Sequence, residues 1–201
     1  MIAIIDYGMG NIHSVQKALE VAGARTCLTS DPDDIARADK LVLPGVGAFD
    51  DAMQELDNRG LSPVLRDQAE KKPFLGICLG LQLLFDESEE ALKSKGLGIV
   101  RGQVKRFIAS GERKVPHMGW NQLQAKKSEC PLLAGIAGGA FVYFCHSYYP
   151  EPSEGLVTAA TCDYGVSFSA LVWKNTVYGA QFHPEKSQAV GLAILRNFVN
   201  L

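Results

Sequence analysis

The sequence has 201 residues, 47% of them hydrophobic and 21% charged, with a formal net charge of −2 at neutral pH. That length fits one α/β domain with a sizeable core, and the charge balance excludes the basic footprint of a nucleic-acid or anionic-membrane binder. Five cysteines, at 27, 78, 130, 145 and 162, are odd in number, widely spaced and form no C-x-x-C. Neither a disulfide framework nor a zinc finger is expected, and reduced thiols in a cytoplasmic protein are the simplest account. The chain opens on strand-like Ile2-Ala3-Ile4-Ile5 without a basic n-region, so no signal peptide is expected. Its most apolar stretch, residues 74–85, is broken by Gly76, Gly80 and Gln82 and is too short to span a bilayer.

In chain order, Ile2 to Ile5 predicts a buried parallel strand ending at Asp6. The glycine-rich loop Tyr7-Gly8-Met9-Gly10-Asn11 follows, then an apolar-periodic helix (Ile12, Val15, Ala18, Leu19, Ala22) that stops at Gly23. The loop lacks G-x-G-x-x-G and Walker spacing and reads as a turn at the sheet edge. Residues 25–29 predict a second strand, and Asp31-Pro32-Asp33-Asp34 starts a helix with acids in its first turn. Residues 41–43 predict a third strand, followed by Pro44-Gly45-Val46-Gly47, where glycines can turn free N–H groups toward a ligand. Helices are predicted over 50–58 and 62–71.

Residues 74–82, Phe-Leu-Gly-Ile-Cys-Leu-Gly-Leu-Gln, predict a strand that ends at Cys78 and enters a helix at once, the helix running through Phe85. A glycine-fenced G-x-nucleophile-x-G turn holds its central side chain exposed above a parallel sheet. A helix N-terminus would favour thiolate there; the plain alternative is a buried core cysteine. Residues 86–90 and 93–98 read as polar surface. Strands are then predicted over 99–107, 115–123, 141–146, 157–162, 168–173 and 177–182, with a short helix over 131–136 and an amphipathic terminal helix over 187–199. No linker or repeat divides the halves, so one domain is expected, a mostly parallel sheet flanked by helices with extra strands in the second half.

The strand over 177–182 delivers His183-Pro184-Glu185. Strand alternation would let 183 and 185 face the same way, so that the carboxylate orients the imidazole. No third ligand has zinc spacing, and no metal or cofactor is called for. His13 reads as a surface or capping residue; His117 and His146 read as hydrogen-bonded structural residues.

Taken together, Pro44-Gly45-Val46-Gly47, Gly76-Ile77-Cys78-Leu79-Gly80-Leu81-Gln82 and His183-Pro184-Glu185 resemble the three signatures of class I glutamine amidotransferase domains, in the right order over essentially the whole chain. Finer features are similar to one branch of that family, the glutaminase subunits of imidazole glycerol phosphate synthases in histidine biosynthesis. These are residues 6–11, 44–50, Val115-Pro116-His117-Met118-Gly119-Trp120-Asn121, His146-Ser147-Tyr148 and His183-Pro184-Glu185-Lys186-Ser187.

The resemblance implies a three-layer, flavodoxin-like α/β fold and a Cys78–His183–Glu185 triad hydrolysing glutamine through a thioester. It implies an oxyanion hole from the backbone at Val46, Gly47 and Leu79, with Gly47, Gln82, His146, Ser147 and Tyr148 holding the substrate. It further implies a heterodimer in which ammonia passes to a (β/α)8-barrel cyclase, giving imidazole glycerol phosphate and an aminoimidazole carboxamide ribotide. Interface candidates are the Tyr7 to Asn11 loop, Met118, Trp120, Asn121, Tyr143 and Lys186, with Trp120 the expected anchor unless it is a core residue. The glycines at 45 and 47 would let the Val46 peptide rotate, so that hydrolysis is activated by a ligand on the partner. Rival readings are a glutaminase for a pyridoxal phosphate or anthranilate synthase, a cysteine hydrolase on the same sheet, and an inactive regulatory subunit.

Overall fold

Unbroken apolar runs, rather than alternating ones, mark strands covered on both faces, and the computed structural model bears this out over the residues it describes, 1–111 and 114–201. The first half alternates β1 (Ile2–Ile5), α1 (Ile12–Val21), β2 (Thr26–Thr29), α2 (Pro32–Arg37), β3 (Lys40–Leu43), α3 (Phe49–Asn58), α4 (Leu61–Ala69), β4 (Phe74–Ile77) and α5 (Leu79–Gln82). The second half adds β5 (Glu87–Ser88), β6 (Gly102–Arg106), β7 (His117–Gln122), β8 (Gln124–Ala125), β9 (Phe141–His146), β10 (Tyr148–Pro152), β11 (Thr158–Asp163), β12 (Ser167–Lys174), β13 (Val177–Ala180) and α6 (Gln188–Val199). Single 3-10 turns lie at Pro131–Leu133, Gly155–Val157 and Pro184–Lys186.

The main sheet runs β2-β1-β3-β4-β13-β12-β11-β8; the first five are parallel and the rest antiparallel. Two small sheets, β10-β6-β5 and β7-β9, complete the fold. Period-two alternation divides the core. Ile2, Ile4, Leu75 and Ile77 pack with α1 and α6 through Val15, Leu19, Ile194 and Phe198. Ala3, Ile5, Leu41 and Phe74 pack on the other side with α2, α3 and α4 through Ile35, Met53, Leu56 and Leu65. Each such buried Leu or Phe contributes roughly 1.5–3 kcal/mol of transfer free energy.

β13 pairs parallel with β4, Ala180 opposite Ile77, and Cys78 N–H donates to Ala180 C=O at 2.8 Å. A strand from the end of the chain therefore sits at the centre of the sheet, beside the strand that carries Cys78.

Several boundaries differ from the sequence-based expectation. The helix expected from Cys78 through Phe85 ends at Gln82, and the chain continues as turns. The helix behind Cys78 is thus about one turn long and carries little macrodipole. The 131–136 helix shrinks to one 3-10 turn, and the 99–107 strand starts only at Gly102, whose φ is +131°. β10 was not expected, because Pro150 and Pro152 argue against a strand; it lies on a sheet edge, where proline is tolerated. β5 and β8, two residues each, carry no readable periodicity.

The elbow's glycines are fixed by close approach. A Cβ at Gly80 would stand 1.8 Å from Leu43 O, and one at Gly76 2.7 Å from Gly80 O. Gly80→Ala should therefore destabilise the chain by more than about 3 kcal/mol, read as a lower urea midpoint; an unchanged midpoint would mean β3 and α5 can separate freely.

Candidate active site

Cys78 is positioned by strain as well as by pairing. It adopts φ +54° and ψ −111°, a conformation that non-glycine residues rarely hold. Sequence reasoning foresaw the sharp strand-to-helix corner, but the cysteine it expected to be exposed is buried and opens only onto a cavity of about 360 Å³. Val46, Gly47, Leu79, Gln82, Cys145, His146, Ser147, Tyr148, His183 and Lys186 share that cavity. A larger groove of about 610 Å³ at the other end of the sheet, bordered by Arg66, Lys174 and Thr176, contains neither cysteine nor histidine.

His183 follows β13 and donates its backbone N–H to Tyr143 C=O, while Ser187 Oγ–H donates to His183 C=O. Its Nδ1 lies 2.8 Å from Glu185 Oε1, which leaves Nε2 for Cys78. The expected pairing of 183 with 185 is present, but for a different reason. The strand ends at Ala180, and the 3-10 turn Pro184–Lys186, rather than strand alternation, folds Glu185 back on the imidazole. Burial alone would lower the His183 pKa, but the hydrogen bonds and charges of Cys78 and Glu185 outweigh it and raise it to about 10. These contacts favour the protonated ring. The Glu185 side chain is almost wholly buried, and its Oε2 has no partner among the described residues.

The Pro44–Gly47 loop is braced by the fully buried Tyr7, whose hydroxyl donates to Pro44 C=O at 2.9 Å. Burial, with the Cys78 charge nearby, pushes the Tyr7 pKa up. Gly45 packs so close that a Cβ would meet Gly80 N and Tyr7 Oη at 2.8 Å. Gly47 has φ +102°. Among the described residues the N–H groups of Val46, Gly47 and Leu79 have no hydrogen-bond partner, so the backbone can offer donors to an anion in the cavity.

His117 and His146 are both buried and form one chain. His146 Nδ1 is 2.7 Å from Tyr148 C=O and must donate to it; Nε2 then accepts from His117 Nδ1 at 3.1 Å. Asn121 Nδ2 completes the chain on His117 Nε2 at 3.3 Å. Burial lowers His117 to about 4; burial, with the His117 and His183 charges, lowers His146 to about 3. Both rings are hydrogen-bonded within the fold, while His146 also borders the Cys78 cavity; His13 is exposed.

One lining residue escaped the sequence reading. Glu90, in the acidic run taken for surface, caps the N-terminus of α3 by accepting from Phe49 N–H and borders the Cys78 cavity. Burial raises its pKa, partly offset by the Phe49 hydrogen bond. The capping pattern is long-range, 41 residues apart, so no local signal announces it.

Among the expected interface residues, Met118 and Trp120 are exposed on one face of β7, with Tyr143 opposite Trp120 on β9 and the two rings 6.0 Å apart. Trp120, 46% exposed, is not a core residue. Lys186 and Asn11 are exposed. Two candidates are corrected: Tyr7 is fully buried, and the Asn121 side chain lies on the opposite face of β7 from Trp120, bonded to Asp163 C=O and His117.

Residues 3–201 match the family described as glutamine amidotransferase class-I. The chain belongs to that family. Class I glutamine amidotransferase relatives extend along its full length. It is 54% identical over 204 residues to imidazole glycerol phosphate synthase subunit HisH of Syntrophotalea carbinolica, covering 98% of each chain. It is 53% identical over 203 residues to the subunit of the same name from Geobacter sulfurreducens, covering 98% of this chain and 97% of that one. In fold it is similar to a crystal structure of a glutamine amidotransferase (TM-score 0.77, 18% identity, 100% of both chains). It is also similar to PurLQS from Thermotoga maritima (TM-score 0.75, 18% identity, 99% of this chain and 97% of that one). Among the described residues no helix is long and apolar enough to cross a membrane.

The two buried histidines make the fold sensitive to acid. Their folded pKa values lie below the unfolded value near 6.5, so between pH 6.5 and about 4 the unfolded chain binds more protons and stability falls as pH drops. His117→Gln, which keeps a donor and does not titrate, should lose about 2 kcal/mol less stability than wild type between pH 7 and 4.5. Paired urea titrations read the difference; equal losses would place the acid sensitivity elsewhere.

Proposed function

We propose that this chain is the glutaminase subunit of an imidazole glycerol phosphate synthase, folded as a single amidotransferase domain. It hydrolyses glutamine to glutamate and ammonia and passes the ammonia to a cyclase subunit. The observation that carries the chemistry is the contact of Cys78 with a His183 whose other nitrogen is held by buried Glu185. Full-length similarity to subunits of that name supports the choice of synthase.

Cys78 sulfur attacks the carboxamide carbon of glutamine, and the N–H groups at Val46, Gly47 and Leu79 stabilise the oxyanion. His183 Nε2 gives its proton to the departing ammonia, leaving a γ-glutamyl thioester. The neutral imidazole then takes a proton from water, whose oxygen attacks the thioester and releases glutamate. Glu185 fixes the tautomer and stabilises the imidazolium. Glu90 and the Gln82 carboxamide oxygen supply acceptors for the substrate's ammonium, and Ser147 and Tyr148 hold its backbone end.

Free ammonia protonates and diffuses in water, so its acceptor must lie in a shielded compartment. The partner is a (β/α)8-barrel cyclase docked over Met118, Trp120 and Tyr143, where aromatic anchors concentrate binding energy. Tyr143 sits on that face while its carbonyl holds the His183 backbone, which couples docking to the base. Gly45 and Gly47 leave the Val46 peptide free to rotate, so hydrolysis is switched on by the ligand held on the cyclase.

Cys78→Ala should abolish glutamine hydrolysis and leave the urea midpoint within about 1 kcal/mol of wild type; retained hydrolysis would remove the triad assignment. Trp120→Ala should weaken association with the cyclase at least about tenfold, measured by titration calorimetry, whereas unchanged affinity would move the docking face.

A further inference from the structure

Gln181 is wholly buried one residue beyond β13, and no step of the proposed reaction uses it. Burying a carboxamide costs free energy unless both its ends are partnered, and an apolar residue there would avoid that cost. Both ends are partnered, and both partners belong to the site. Its Oε1 accepts from Gln82 Nε2 at 3.0 Å, and its Nε2 donates to Cys78 Sγ at 3.9 Å.

These two contacts set each other's direction. Gln82 Nε2 also donates to Tyr148 C=O at 2.9 Å, so both of its hydrogens are used. The Gln82 carbonyl oxygen is then the atom left for the cavity that Gln82 borders. A flipped Gln82 would set its oxygen against two acceptors, Tyr148 O and Gln181 Oε1. A flipped Gln181 would in turn aim its oxygen at the sulfur. The Tyr148 carbonyl, which also accepts from His146 Nδ1, anchors the whole set.

The sulfur's other surroundings make the Gln181 donor matter. The Cys145 carbonyl stands 3.9 Å from Sγ and can only accept, and α5 is too short to supply a useful dipole. Among the described side chains, His183 and Gln181 alone offer Sγ a hydrogen.

We propose that Gln181 is a positioning residue of the glutaminase site: it locks the Gln82 carboxamide with its oxygen toward the substrate ammonium, and it gives Cys78 sulfur a second donor beside His183. This rests on the glutaminase reading and adds to it a residue outside the triad and the oxyanion loop. The groups that titrate around the sulfur (His183 with Glu185, His146, Tyr7, Glu90 and Lys186) are untouched by a change at 181.

The test uses the full chain with Gln181→Met, similar in length but without donor or acceptor. Iodoacetamide alkylation of Cys78, located by mass spectrometry, is followed against pH. Inactivation by 6-diazo-5-oxo-L-norleucine, a glutamine-shaped electrophile, separates binding from reaction. The alkylation midpoint should rise by about half to one pH unit, and the rate should return to the wild-type plateau at higher pH. The half-saturating concentration of the glutamine analogue should rise about five- to tenfold. A loss of packing alone would not be rescued by raising the pH. If the Met variant does not fold, Gln181→Asn, too short to bridge Gln82 and the sulfur, should show the same two changes. An unchanged midpoint and unchanged half-saturation in a folded variant would overturn the role of Gln181. Failure of 6-diazo-5-oxo-L-norleucine to modify wild-type Cys78 even in the complex with the cyclase and its ligand would instead overturn the glutaminase reading, and this inference with it.

Discussion

The pairing of β13 against β4 is the constraint on which the rest of the structure depends. One backbone hydrogen bond, Cys78 N–H to Ala180 C=O, joins the ends of two strands separated by about a hundred residues of chain. The chain leaves β4 at a strained elbow and leaves β13 toward a proline turn, so Cys78, Gln181 and His183 emerge from adjacent positions on one sheet edge. Shifting that register by one residue would turn Gln181 and His183 away from the sulfur, because alternate strand residues face opposite ways. Glycine leaves room beside this junction: at Gly179 a Cβ would meet the Cδ1 of buried Leu81 at 2.1 Å, so a side chain there would force Leu81 to move.

Around that junction the site is assembled from opposed requirements. The sulfur needs donors, and the imidazole needs an acceptor on its far side. The Pro44–Gly47 loop keeps N–H groups that no other described element consumes. Burial makes each contact electrostatically stronger and each unmet group more costly. Tyr7, Gln82, Gln181, His117 and His146 are all buried polar groups, and each has its partner. The unpaired Glu185 Oε2 is the exception among the described side chains. A carboxylate with its other oxygen on an imidazole tolerates this because the ion pair supplies the compensating charge.

The same packing links the site to its outer face. β9 carries Tyr143, whose ring stands beside exposed Trp120, while its carbonyl accepts from His183 N–H and its own N–H donates to Ser187 Oγ. One residue further along, Phe144 and then His146 turn into the buried aromatic cluster with His117. A displacement of the β7-β9 sheet therefore reaches His183 through main-chain hydrogen bonds rather than through loose side chains, which is how packed elements transmit small shifts.

Much of the fold and the centre of the site were legible in the sequence, because the determining interactions are local or nearly so. Apolar runs defined β1, β3 and β4; paired glycines around Cys78 defined the elbow; and His183-Pro184-Glu185 carried the proposed base and its proposed orienter within three residues. What the sequence could not decide were contacts set by neighbours far along the chain. Its periodicity continued past Gln82, yet the helix ends there, because the chain that follows forms turns and ties its carbonyls to residues 97–100. Pro150 and Pro152 hid β10, whose edge position was settled by β6. Glu90 became a cavity residue through Phe49, Asn121 turned inward through Asp163, and Gln181 met the sulfur through the β4–β13 register. Local propensity and spacing are written residue by residue; which carbonyl, which sulfur and which face a side chain meets is fixed only when the strands choose their neighbours.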